Sequence, residues 1–164
     1  MERDVFMKLS LVVPCYNEEA VIRETARQVA IKMQQLYEKE LISEKSKVMF
    51  VDDGSKDMTW PMIEALHAEN PMYTGVKLSR NKGHQNALVA GLSVAVKYAD
   101  MIISMDADLQ DDINAIDEMV EQYQAGYDVV YGQRVKRKGE TWFKKITAKM
   151  FYRLLRRLTE VDIP

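Results

Sequence analysis

A chain of 164 residues with 47% hydrophobic and 29% charged side chains has room for one domain with a sizeable core, and this composition excludes a disordered polypeptide. The net charge of −2 is unevenly spread: residues 1–133 carry 13 basic and 22 acidic side chains, whereas residues 134–157 carry ten basic and one acidic. No run reaches the roughly 18 apolar residues of a membrane span. The lone Cys15 excludes an intramolecular disulfide and fits a reducing compartment, and Met1-Glu2-Arg3-Asp4, running into an apolar segment broken by Lys8, predicts no secretory leader.

In chain order, Leu9–Val13 is a short apolar run that predicts a first strand ending at Pro14. Glu18–Glu40 reads as a helix, with Ile22, Ala26, Val29, Met33 and Leu36 at helical spacing. Val48–Val51 predicts a second buried strand ending in Asp52-Asp53-Gly54-Ser55, and Thr59 is a candidate N-cap for a helix through Pro61 to about Ala68. Strand three is expected at Tyr73–Leu78, a helix at Gln85–Tyr98 and strand four at Met101–Met105. A helix at Ile113–Ala125, with Gly126 beyond its C-terminus, leads to an expected fifth strand at Asp128–Tyr131. Continuous apolar strands alternating with helices predict an α/β fold, a mostly parallel sheet covered on both faces.

Such sheets bind ligands beyond the carboxyl ends of their strands, and four polar segments fall there. Met105-Asp106-Ala107-Asp108-Leu109-Gln110 sets two carboxylates at i and i+2 after a strand, a pattern suited to Mg²⁺ or Mn²⁺ shared with substrate phosphates. Pro14-Cys15-Tyr16-Asn17-Glu18-Glu19 offers an aromatic ring for a flat base, or else a turn with Asn17 capping the next helix. Asp52-Asp53-Gly54-Ser55 places a carboxylate to meet a ribose or base edge, although Asp-Gly also makes a turn without a ligand. Ser79-Arg80-Asn81-Lys82-Gly83-His84-Gln85 precedes a helix start and suits a phosphate, while a lone loop histidine such as His84 is more often structural than catalytic.

The basic arm has its own pattern. Trp142, Phe143, Ile146, Met150, Phe151, Leu154, Leu155 and Leu158 form one helical face, with Lys144, Lys145, Lys149, Arg153, Arg156 and Arg157 around the rest. This describes either an interfacial membrane helix or a surface helix packed on its own domain. Residues 1–133 are thus expected to form the ligand-binding α/β core, and residues 134–164 a basic loop and amphipathic helix continuing it.

Taken together, Val13–Glu19, Val51–Ser55, Leu78–Gln85 and Met105–Gln110 resemble glycosyltransferase family 2, and within it the polyprenyl-phosphate glycosyltransferases of the dolichol-phosphate-mannose-synthase and bactoprenol-glucosyltransferase group. Tyr131-Gly132-Gln133-Arg134 and Lys138-Gly139-Glu140 resemble that subgroup too. The resemblance implies a GT-A fold and transfer of a sugar from a nucleotide-sugar donor, UDP-glucose-like, to a polyprenyl phosphate, with Mg²⁺ or Mn²⁺. It implies that Pro14, Tyr16, Glu18 and Asp52 hold the nucleoside, Asp106 meets ribose and metal, Asp108 ligates the metal, and Gln110 lies by the diphosphate or sugar. Arg134 and the Lys136, Arg137 and Lys138 cluster would face the donor diphosphate or the lipid phosphate, and the helix carrying Trp142, Lys144 and Lys145 would lie on the membrane. Asp106, Asp108 and Arg134 would be the catalytic set.

The family continues past Val161-Asp162-Ile163-Pro164 with further motifs and transmembrane helices, so the chain is expected to be the N-terminal part of a longer enzyme at the cytoplasmic face of a membrane. Donor binding is then expected without assured turnover, along with association through apolar surface left uncovered. Nucleic acid is not an expected partner. Two competing readings stay open: a non-catalytic nucleotide-sugar- or membrane-binding module, and a haloacid-dehalogenase-type phosphotransferase with Asp106 as nucleophile. A dinucleotide-binding domain is disfavoured because no G-x-G-x-x-G follows the first strand.

Overall fold

A computed structural model describes residues 6–132. They form four strands and four helices in strict alternation: β1 Leu9–Cys15, α1 Ile22–Glu38, β2 Lys47–Asp52, α2 Thr59–Glu69, β3 Tyr73–Lys77, α3 His84–Ala95, β4 Met101–Ser104 and α4 Ala115–Gln124. The strands make one parallel sheet in the order β3-β2-β1-β4. The expected basic loop and amphipathic helix, with the boundary at residues 133 and 134, lie outside the described residues.

Strand alternation sorts the core into two layers. Leu9, Leu11, Val13, Val48 and Phe50 face α1, α2 and α4, packing with Ile22, Val29, Leu36, Ile63 and Val120. Val12, Met49 and Val51 point the other way, onto Ala87 and Ala95 of α3. Every residue of the central strand β1 is buried, which is why its run is apolar without a polar face. α3 lies close on its sheet face: a Cβ built at Gly91 would stand 2.6 Å from Val12 Cγ1 and 2.7 Å from Val51 Cγ2.

Three expectations change. The fifth strand at Asp128–Tyr131 does not form: a strand persists only through its ladder, no described strand lies beyond β4, and Val129 and Tyr131 are 81% and 83% exposed. α1 begins at Ile22 rather than Glu18: Glu18 O closes a separate turn with the Val21 and Ile22 amides, and the Glu18 and Glu19 amides, donating to Thr59 Oγ1 and Asp57 Oδ2, tie that turn to the β2–α2 loop. That contact also removes Thr59 as the cap of α2. Its hydroxyl is spent on the Glu18 amide, and Asp57 Oδ1 accepts the Thr59 amide at 3.0 Å. The C-terminal stop of α4 is as expected, with Gly126 at φ 102° and its amide on Tyr123 O at 2.9 Å.

β1 runs two residues past its expected end and takes in Pro14, although a proline cannot donate to a ladder. Alternation explains the exception. Val12 O accepts the Met105 amide on the β4 side, and Cys15 O accepts the Asp53 amide on the β2 side. Pro14, two residues from Val12, therefore aims its missing donor at the β4 side. There β4 has already stopped, at the Val12–Ser104 pair.

Candidate functional site

The four polar segments meet at the carboxyl end of the sheet around one cavity of about 420 Å³. The tip of β1 contributes Pro14, Cys15, Tyr16 and Glu18, and β2 contributes Asp53. The β3–α3 turn and the start of α3 add Asn81, Gly83, His84 and Ala87, and the segment after β4 adds Asp106, Ala107 and Asp108. Of the residues expected at the site, Pro14, Tyr16, Glu18, Asp106 and Asp108 line this cavity. Asp52 lies beneath it and Gln110 outside its lining. Arg134, Lys136, Arg137, Lys138, Trp142, Lys144 and Lys145 lie outside the described residues.

The β1–α1 turn is laced to the β2–α2 loop. Asn17, at φ 54°, donates its amide to Ser55 Oγ at 2.9 Å and accepts the Lys56 amide on Oδ1 at 2.9 Å, so it is not a helix cap. Glu19 returns a bond, its Oε2 accepting the Met58 amide at 2.8 Å. These ties hold Tyr16, 39% exposed, at the cavity mouth with its ring free to cover a planar group. Burial pushes the Glu18 carboxyl above its ordinary range, helped by the negative charges of Asp108 and Asp57.

The two aspartates at the tip of β2 do different work. Asp52 is fully buried; one oxygen accepts the Ser55 amide at 3.0 Å, and the other, Oδ2, has no hydrogen-bond partner. Burial, with Glu18 and Asp52 nearby, pushes the Cys15 thiol far up, so it stays neutral and donates to Val13 O at 3.3 Å. Asp53 instead reaches sideways. Its two oxygens accept the Lys82 and Gly83 amides at 2.7 and 2.8 Å, fastening the β3–α3 turn to the sheet. The next residue must be small there: Gly54 has φ +70°, and a Cβ on it would lie 2.5 Å from the Arg80 carbonyl carbon.

After β4 the chain leaves the sheet in a turn whose carboxylates face the cavity. Asp106 is about half exposed, with Oδ1 3.7 Å from His84 Nε2 across the opening. Asp108 Oδ1 accepts the Gln110 amide at 3.0 Å, and Leu109 adopts φ 56° with its side chain against the core. The carbonyl between the two aspartates, Ala107 O, accepts a bond from the buried Thr25 hydroxyl of α1 at 2.6 Å.

Two carboxylates on one turn suit a hard divalent cation that draws its other ligands from phosphate and water. Among the described residues no group of three or more His, Cys, Asp or Glu side chains can hold a metal by itself. Asp106 and Asp108 open onto the same cavity with Asp106 about half exposed, so the residues present fit such an ion. The sequence reading carried Asp53 and Asn81 only as members of ligand-facing segments, with no role of their own, and missed Thr25. The second aspartate of the doublet was the visible signal for Asp53, whereas Thr25 acts across 82 residues of sequence and leaves no local pattern.

Comparison with known proteins agrees with this architecture. The profile of Glycosyl transferase family 2 matches residues 10–163. An uncharacterized glycosyltransferase, YkoT of Bacillus subtilis (strain 168), is 50% identical over 150 residues, covering 92% of this chain and 44% of its own. The bactoprenol glucosyl transferase of Shigella phage SfV is 38% identical over 157 residues, covering 96% of this chain and 48% of its own. The chain thus spans about half the length of these relatives. Among solved structures, S. aureus TarS 1-349 superposes with a TM-score of 0.52 at 22% identity, over 80% of this chain and 39% of that one. That likeness shows the fold, the α/β arrangement termed GT-A. With the profile spanning nearly every residue and relatives at up to half identity, this chain belongs to glycosyl transferase family 2.

Proposed function

We propose that the protein containing this chain moves a sugar from a nucleoside-diphosphate sugar, UDP-glucose-like, to a polyprenyl phosphate at the cytoplasmic face of a membrane. The observation that carries the reading is a cavity lined both by an aromatic ring, Tyr16, beyond the tip of β1 and by a pair of carboxylates, Asp106 and Asp108, beyond the tip of the neighbouring β4. That combination suits a nucleoside against the ring and a charged diphosphate beside the carboxylates. The relatives named bactoprenol glucosyl transferase support the lipid acceptor. Membership of family 2 sets aside the haloacid-dehalogenase-type reading of Asp106 as a nucleophile.

Tyr16 and Pro14 flank the base, and Glu18 is the acceptor that the cavity offers to its polar edge or the ribose, while Asp52, buried beneath the cavity, supports the loop through the Ser55 amide. Asp106 and Asp108 would hold Mg²⁺ or Mn²⁺. Bound there, the cation would offset the charge that builds on the departing nucleoside diphosphate. An acceptor phosphate oxygen is already anionic near neutral pH. It can form the new bond to the anomeric carbon, with inversion, as the bond to the diphosphate breaks, and no protein base need remove a proton. Gln110 stands at the sugar end. Arg134 and the Lys136–Lys138 cluster would meet the diphosphate or lipid phosphate, and the helix carrying Trp142, Lys144 and Lys145 would rest on the bilayer.

Calorimetric titration with UDP-glucose, UDP and GDP-mannose, each with Mn²⁺ and with EDTA, tests the donor half. One nucleotide class should bind, and only with metal. A folded Asp108→Asn chain should lose that metal dependence; unchanged affinity would remove Asp108 from the site.

A further inference from the structure

We propose that Thr25 is a positioning residue for the cation-binding turn, holding Asp106 and Asp108 in register through the peptide carbonyl between them. The proposal rests on the reading of that turn as the metal and diphosphate site. Thr25 lies in the first turns of α1, fully buried, and its Oγ1 is within bonding distance of two carbonyls. Val21 O, four residues back, is 3.1 Å away, and Ala107 O is 2.6 Å away. A hydroxyl has one proton. Val21 O already accepts the Thr25 amide at 3.0 Å, so the shorter contact takes the hydroxyl proton and the bond belongs to Ala107.

The geometry around that bond says why it matters. Ala107 is 4% exposed while its neighbours Asp106 and Asp108 open onto the cavity. Fixing this carbonyl fixes the Ala107–Asp108 peptide plane, and with Ala107 buried that plane sets where Asp108 leaves the chain and narrows the path of Asp106. The turn has few other anchors: the Gln110 amide on Asp108, and Leu109 in a left-handed conformation with its side chain in the core. The Thr25 bond ties the backbone between the two aspartates to α1, across 82 residues of sequence. Groups that orient metal ligands without touching the metal commonly change its affinity tenfold or more when removed.

The test is Mn²⁺ affinity in the presence of UDP, measured by calorimetry on the 164-residue chain at a temperature where circular dichroism shows each variant folded. Thr25→Val keeps the side-chain shape and removes the donor, so its Kd for Mn²⁺ should rise about tenfold, whereas Thr25→Ser keeps the donor and should stay within about twofold of the parent. Asp108→Asn is the control. If the parent binds Mn²⁺ with UDP, Asp108→Asn does not, and Thr25→Val matches the parent, then Thr25 has no positioning role. Equal losses in Thr25→Val and Thr25→Ser would show that the packing of the whole side chain, and not the hydroxyl donor, governs the turn, and would overturn the proposal too. A parent chain that takes up no Mn²⁺ with UDP would bring down the donor-site reading and this proposal together.

Discussion

Removing the Asp53 carboxylate separates its structural work from any direct ligand contact. In Asp53→Ala the amides of Lys82 and Gly83 lose acceptors at 2.7 and 2.8 Å, both charge-assisted. Bonds of this kind contribute about 1.5–3 kcal/mol each when the partner group stays buried. Lys82 and Gly83 are exposed, so their amides can turn to water and recover part of that. We therefore expect a loss of about 2 kcal/mol in unfolding free energy, well below the sum of two buried bonds. Asp53→Asn should fall between: its carbonyl can accept one amide, but its NH₂ faces the other, donor against donor. Urea denaturation gives the stabilities. Hydrogen exchange at Lys82 and Gly83 gives the local effect, and protection there should collapse in Asp53→Ala while that of β1 amides follows global stability. If both variants fall within about 0.5 kcal/mol of the parent, typical of inert surface changes, the fastening of the β3–α3 turn by Asp53 is refuted.

Asp117 on α4 binds Lys32 and Lys39, with Asn114 sharing the nearly buried Lys32 ammonium at 3.0 Å. Asp117→Ala leaves that ammonium short of its counter-charge and should cost about 3 kcal/mol, the low end for a broken buried pair. Burial pushes the Asp117 carboxyl up, but the Lys32 and Lys39 bonds more than reverse this, so its folded pKa lies below the ordinary value. The stability it supplies is complete above that ordinary value and lost as pH falls through the folded one. The gap between parent and variant in urea should therefore close below about pH 4. Glu18 is the opposite case: its folded pKa is raised, so its ionised form opposes folding at neutral pH. Glu18→Gln in EDTA should be more stable than the parent at pH 7, with the gain vanishing below about pH 4; a loss at pH 7 would show that the carboxylate is not strained there.

The sheet was legible because burial on both faces leaves strands as unbroken apolar runs, and Leu9–Val13, Val48–Val51 and Met101–Ser104 have no other use. Asp128–Tyr131 had the same composition without a partner, and pairing is a property of two segments that one segment cannot display. The start of α1 was misplaced because Glu18 and Glu19 are good first-turn residues, whereas Thr59 and Asp57, some 40 residues on, tie their amides to the β2–α2 loop and hold them in a separate turn before the helix. The four ligand-facing segments were readable from their position after strands. The division of labour between Asp52 and Asp53 was not, since only the fold shows which carboxylate turns under the sheet and which turns across it. Pro14 looked like a terminator, and it sits inside β1 only because its neighbour strand is shorter.

An all-parallel sheet has no hairpin, so each strand finds its neighbour only after a long crossover has closed. The cavity draws on the tips of β1 and β2, the start of α3 and the exit from β4, chain positions 14 to 108. No piece of the chain shorter than that span contains all of it. A nucleotide held there is linked to the all-or-none equilibrium of the whole sheet rather than to the breathing of one loop. At a free concentration of about 100 Kd, such a ligand would deepen the native well by about 2.7 kcal/mol. The thermal midpoint of the intact domain would then serve as a screen for the donor, with no need to observe turnover.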